Sequence, residues 1–164
     1  MPRAIRPFTD ADWPAVWPIV EDVCREGETY AYPVDIDEAT ARAYWIESPP
    51  GRTVVLEDDG TILGTAKMGP NRPGHGDHVG TASFMISGAA RGRGAGRALG
   101  EHVIAWHREQ GFRGIQFNAV VESNTVAVRL WQSLGFTIIG TVPEAFRSPA
   151  HGLVGLHVMY QRLA

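Results

Sequence analysis

The chain has a single cysteine, Cys24, and a single lysine, Lys67, among 164 residues, and each scarcity excludes a chemistry. One thiol forms no intrachain disulfide and supplies no cysteine-rich metal site, so Cys24 reads as a buried structural thiol. The lone lysine lies outside the glycine-rich stretch, and a Walker-type loop, which needs Gly, four residues and then Gly-Lys-Ser/Thr, is therefore missing. Long apolar runs are missing too. The opening MPRAIRPFTDAD mixes charge with proline, supports neither a signal peptide nor a membrane span, and makes a cytoplasmic location the expectation. There is no strong excess of charge of one sign: the net charge is -3 and the pI about 6.0. Nucleic acid as the main partner would want a broadly basic face. The preference for arginine over lysine hints at a GC-rich bacterial genome. What is present is a chain 44% hydrophobic and 20% charged, the balance of a globular protein. Its length suits one domain, and with no repeat or low-complexity linker residues 1–164 read as a single unit.

Taken in order, residues 4–7 suit an opening edge strand. Thr9 with Asp12 forms a capping-box variant that starts a helix, with Trp13, Val16, Trp17 and Val20 on its inner face and Pro18 expected to kink it. Residues 25–35 form a loop carrying Glu28, Tyr30 and Tyr32. Asp35 or Asp37 caps a second helix whose Ala41, Tyr44 and Trp45 turn inward. Residues 52–56 and 62–68 read as strands joined at Asp58-Asp59-Gly60, a hairpin signal. Residues 71–77 form a flexible connection; His75, Asp77 and the adjoining His78 read as hydrated polar residues, with Asp77 or His78 as acceptor of a substrate proton the alternative, and no metal is expected. A strand covering Phe84 to Ile86 follows, then a helix carrying Leu99, Val103 and Trp106, then a strand at residues 114–121. A helix with Ala127, Leu130, Trp131 and Leu134 inward comes next. The last two strands are expected at residues 137–142 and 153–162, with a loop between.

The most informative stretch is residues 79–99, VGTASFMISGAARGRGAGRAL, where a strand runs into a glycine-rich turn and then a helix. Such a turn lets backbone amides approach a ligand, and the helix start adds unpaired N–H groups and a positive dipole end that favour phosphate. Arg91, Arg93 and Arg97 add charge. The dinucleotide pattern G-x-G-x-x-G fails, because Gly92 and Gly94 are followed by Arg97, and Gly94 and Gly96 by Leu99. R-x-x-G-x-G is present as Arg91, Gly94 and Gly96.

That pattern resembles the acyl-CoA pyrophosphate loop of the GNAT superfamily of N-acyltransferases. A second motif agrees: Asn124, Ala127, Leu130, Trp131, Gly135 and Phe136 fit N-x-x-A-x-x-L-Y-x-x-x-G-F, with Trp131 where tyrosine is usual. The resemblance spans residues 4–162. It implies an α/β three-layer sandwich around a mixed, mostly antiparallel sheet whose central strands splay apart, with about four helices. It further implies acetyl-CoA as cosubstrate, its pantetheine paired with the main chain of Phe84, Met85 and Ile86. The pyrophosphate would lie on Arg91, Gly92, Arg93, Gly94, Ala95, Gly96 and Arg97, with Asn124 and Trp131 adding contacts to the cofactor. The implied reaction is direct attack of an amine on the thioester, with the oxyanion held by a strand N–H near Met85. Glu28 is the candidate base, directly or through water. Glu28, Tyr30, Tyr32, Thr81 and Asn118 are candidates for the acceptor site. Trp131 cannot act as the usual tyrosine acid, which leaves water, a hydroxyl such as Tyr30 or Ser123, or no dedicated acid.

In detail the pair Asn118 and Asn124 with a tryptophan is similar to the yeast azetidine-2-carboxylate acetyltransferase-like group, although Thr81 stands where that group carries a third asparagine. The partner expected is a small-molecule amine, an amino acid or imino acid among them, and the resemblance allows a homodimer. The phosphinothricin-type acetyltransferases, which the chain resembles more loosely, a GNAT acting on protein N-termini or polyamines, and a non-catalytic acyl-CoA sensor suggested by the missing tyrosine, are the alternatives.

Overall fold

The computed structural model describes residues 2–164. Among them, seven strands form one sheet in the order β1-β2-β3-β4-β5-β7-β6, and four α-helices pack on it. Strand β1 (Ala4–Pro7) leads into a 3-10 turn and helix α1 (Trp13–Glu26). The Asp12 carboxylate accepts from the Thr9 amide at 2.8 Å and the Thr9 hydroxyl at 3.1 Å, so the predicted cap forms one turn earlier than the α-helix itself. Arg6 reaches both Asp12 oxygens at 2.9 Å, which lowers the Asp12 carboxyl to about 2. Helix α1 runs unbroken through Pro18.

Helix α2 (Glu38–Trp45) is capped by Asp37, whose side chain accepts from the Thr40 amide at 2.8 Å. Ala41 and Trp45 are buried as expected, but Tyr44 is 49% exposed because it lies over Tyr32 at the surface, ring centroids 5.6 Å apart. Strands β2 (Arg52–Asp58) and β3 (Thr61–Pro70) form the anticipated hairpin, and the left-handed φ angles of Asp59 and Gly60, 50° and 80°, are those of a two-residue turn matched to strand twist. Strand β4 (Val79–Ile86) pairs antiparallel with β3. Helix α3 (Ala95–Glu109) returns to β5 (Gly114–Val121), the one strand parallel to its neighbour β4. Helix α4 (Thr125–Ser133) follows.

The end of the chain departs from expectation. Strands β6 (Thr137–Ser148) and β7 (Gly152–Arg162) form one long hairpin, and most of the expected loop is strand. Pro143, Glu144 and Ala145 bulge opposite a single residue, Gly155, since Val142 pairs with Leu156 and Phe146 with Val154. Pairing therefore resumes beyond the proline, and Phe146 and Ser148 are buried.

Side chains alternate between the faces of the sheet. Val55 and Met85 pack with Trp13, Val16, Val20, Cys24 and Trp45 under α1 and α2. Val54, Leu56, Ala66, Phe84 and Ile86 pack under α3, and Ile115, Phe117 and Met159 join Ile104 and Trp131 beneath α3 and α4. Cys24 is fully buried in the first cluster, and burial raises its thiol pKa. The result is the α/β fold expected, with two helices on each face of a mixed sheet.

Candidate active site

Parallel pairing of β4 with β5 is confined to Val79 with Gly114 and Gly80 with Ile115. Beyond that point the strands part. Main-chain groups of successive residues point to opposite edges, and two bonds fix the phase: Asn71 N–H donates to Val79 O at 2.8 Å, and Ser87 N–H to Leu63 O at 2.8 Å. Odd-numbered residues of β4 thus face β3, while Ala82, Phe84 and Ile86 face the gap. The strand amide near Met85 that lies outside the β3 ladder is accordingly that of Phe84, because Met85 itself pairs with Thr65.

Tyr30 closes this gap from the α1–α2 loop. Its hydroxyl donates to Phe84 O at 2.6 Å and accepts the Phe84 N–H at 2.7 Å. The ring stacks on Tyr32, centroids 5.6 Å apart at 10°, and meets the Trp45 edge at 6.2 Å. Burial raises the Tyr30 phenol well above its ordinary pKa and raises that of Tyr32 as well. Two residues earlier, both Glu28 oxygens are already bonded. Oε2 accepts from Ser148 Oγ at 2.6 Å and Oε1 from Ala150 N at 2.9 Å, which ties the loop to the β6–β7 hairpin. The partners of Glu28 lie 120 and 122 residues away in sequence, and no local signal marks them. Glu28, Thr29, Ser123, Asn124, Ala150 and His151 line a cavity of about 280 Å³.

On the opposite face of the gap, Trp131 is 7% exposed. It lies 4.6 Å from the Phe84 ring and 5.1 Å from that of Phe117, so the tryptophan forms an aromatic floor beneath the parted strands. Asn124 is the N-cap of α4, its Oδ1 accepting from Ala127 N at 3.3 Å. Asn118 occupies a bulge of β5, since Phe117 pairs with Met159 and Val120 with His157. It donates to Asn71 Oδ1 at 2.6 Å and accepts from Gln116 Nε2 at 2.9 Å. Neither Asn71 nor Gln116 was singled out from the sequence. A polar residue on β5 required a partner, and the neighbouring strand end supplies it. Thr81 and Ser83 share the face of Met85, the α1–α2 side. Lys67, on that face too, donates to Tyr44 O at 2.7 Å.

Past the end of β4, residues 91–97 form the arginine-glycine turn. Gly92 and Gly94 have φ of 75° and 76°, a left-handed backbone that glycine adopts without a Cβ penalty. Gly94 caps α3 with no side-chain bond, and the first α-helical bond recorded there is Ala98 N–H to Gly94 O at 3.1 Å. The amides of Ala95, Gly96 and Arg97 therefore precede the helical ladder. A Cβ added at Gly88 or Gly92 would meet nothing within 4 Å, so the space above the turn is open. Arg91 bonds Glu26 at 2.7 Å, Arg93 bonds Asp58 at 3.4 Å, and Arg97 lies 3.7 Å from Glu101. Arg3 joins Asp58 at 3.5 Å. Among the described residues, four guanidinium groups thus gather around the amides of the first turn of α3, held by Glu26, Asp58 and Glu101. This set of donors fits a diphosphate, and the parted edge fits an extended amide chain.

The family model described as acetyltransferase (GNAT) family matches residues 13–136, and the chain belongs to that family. The chain is similar in structure to a GCN5-related N-acetyltransferase from Kribbella flavida over 98% of both chains, with 57% identity and a TM-score of 0.95. N-acetyltransferase aca1 of Schizosaccharomyces pombe is 31% identical over 104 residues, 63% of this chain. This chain spans half the length of that relative. An L-methionine sulfoximine/L-methionine sulfone acetyltransferase from Pseudomonas paraeruginosa is 28% identical over 149 residues, covering 88% of this chain and 86% of its own. No helix among the described residues is long and apolar enough to cross a membrane.

Proposed function

We propose that the chain transfers the acetyl group of acetyl-CoA to a primary or secondary amine of a small molecule by direct attack in a ternary complex. The observation that carries this reading is the parting of β4 and β5 beyond Gly80, with the open arginine-glycine turn at the far end of the gap. The cosubstrate lies against the gap-facing main chain of Phe84 and Ile86, and its diphosphate rests on the amides of residues 92–97, aided by Arg91, Arg93 and Arg97. Trp131 supports it from below. The Phe84 N–H polarises the thioester oxygen, and holding amine and thioester together supplies much of the rate. The acceptor enters on the α1–α2 face, past Tyr32, Thr81 and Asn118. The relative that acts on methionine sulfoximine and methionine sulfone supports an amino acid-like acceptor. The resemblance carried by Asn118 and Asn124 extends the candidates to imino acids. Glu28 anchors its loop, and water takes the proton of the amine. An acetyl-CoA-dependent enzyme suits a cytoplasmic setting.

A second reading, a non-catalytic acyl-CoA sensor, draws on Trp131 in place of a phenol. Calorimetric titration with acetyl-CoA and release of free CoA across a panel of amino and imino acids, L-methionine sulfone included, decide between the two. Turnover with any acceptor supports the enzyme. Binding without turnover across the panel favours the sensor, and absence of binding overturns both.

A further inference from the structure

We infer that Tyr30 is a second hydrogen-bond donor to the thioester oxygen, acting beside the Phe84 N–H, an inference that rests on the acetyl-transfer reading above. The geometry starts from an open strand edge inside a fold, where N–H and C=O groups need partners. Tyr30 supplies both at Phe84, accepting at 2.7 Å and donating at 2.6 Å. Among the hydrogen bonds recorded for the described residues, no other side chain touches the main chain of Phe84. An oxygen that takes the Phe84 N–H therefore arrives within reach of the phenol, which needs only to recede and turn its proton from Phe84 O to the incoming atom. Phe84 O is then free for an amide of the cosubstrate.

The surroundings hold the phenol for this task. Its ring is fixed between Tyr32 and Trp45, and the start of its loop is fastened through Glu28 to Ser148 and Ala150. A buried phenol keeps its proton at neutral pH and serves as a neutral donor, whereas it is a poor acid toward a thiolate whose conjugate acid is much stronger. The proton balance follows. The amine nitrogen bonds to the carbonyl carbon, the C–S bond breaks with its electron pair going to sulfur, the amine proton leaves to water, and sulfur takes a proton from water. Tyr30 ends the cycle with the proton it began with.

The test reads the carbonyl directly and needs no acceptor. Infrared difference spectra of [1-13C]acetyl-CoA bound to the wild type, to Tyr30→Phe and to protein carrying 3-fluorotyrosine at position 30 report how strongly the oxygen is hydrogen-bonded. The expected result is a wild-type carbonyl stretch below that of free acetyl-CoA. Fluorination, which makes the phenol a stronger donor, lowers the stretch further, and Tyr30→Phe returns it toward the free value while binding is retained. Tyr30→Phe should also lower turnover by about 10²-fold, the effect of removing one such donor. A stretch unchanged in both variants overturns the inference and leaves acetyl transfer standing, because a packing role would not respond to fluorination. Failure of the wild type to bind acetyl-CoA removes both.

Discussion

The two ends of the β4–β5 pair are built oppositely. At the paired end the glycines are covered: a Cβ on Gly80 would run into the His107 ring, and one on Gly114 into the Tyr160 phenol. At the parted end Gly88 and Gly92 face open space, and the main chain of Phe84 is satisfied by a hydroxyl instead of a strand. One end uses glycine so that side chains can clamp two strands together. The other uses it so that something from outside can approach the backbone. The same residue type thus marks structure at one end and ligand access at the other, and only the neighbours tell them apart.

Gly80→Val tests the clamped end and should have the largest effect. Overpacking against a fully buried imidazole costs about 3 kcal/mol, read as a lower urea midpoint. Gly94→Val tests the open end. It should raise the acetyl-CoA dissociation constant by about 30-fold, roughly 2 kcal/mol, while a smaller backbone penalty of about 1–2 kcal/mol leaves the protein folded in the same urea titration. Unchanged affinity would refute the assignment of the turn. Acidification should act through the clamped end. Burial holds the His107 imidazole below its ordinary pKa, so its contribution is complete above the unfolded value of about 6.5 and declines as pH falls below it. A urea midpoint followed from about pH 8 to pH 5 should therefore drop for the wild type, and drop less for His107→Gln if that variant folds. The smallest effect belongs to the tether of the Tyr30 loop. Ser148→Ala removes one bond to Glu28 and should cost about 1 kcal/mol, with a measurable coupling to Glu28→Gln in a double-mutant cycle.

What could be seen in advance followed the range of the signal. The Asp59-Gly60 turn, the cap expected of Asp35 or Asp37 and supplied by Asp37, and the run of Leu99, Val103 and Trp106 are decided by residues a few positions from their neighbours, and they stand where their spacing puts them. The motif around Arg91, Gly94 and Gly96 is local in the same sense. Bonds from Tyr30 to Phe84, from Glu28 to Ser148 and from Asn118 to Asn71 span 54, 120 and 47 residues, and nothing near either partner announces the other. Pro143 misled for a related reason. A proline normally interrupts a strand, but pairing with β7 on both sides of the bulge carries β6 past it.

Strand β6 lies at the sheet margin, and Ile138, Ile139 and Val142 are exposed along it. A straight edge of that length would be a template on which further chains could add. The displaced residues near Gly140 and at 143–145 break the row of donors and acceptors into short, mutually twisted pieces, and Pro143 withholds an N–H in the middle. A foreign strand can register with one piece only by losing step with the next, so the irregularity at this margin guards against fibre-like growth.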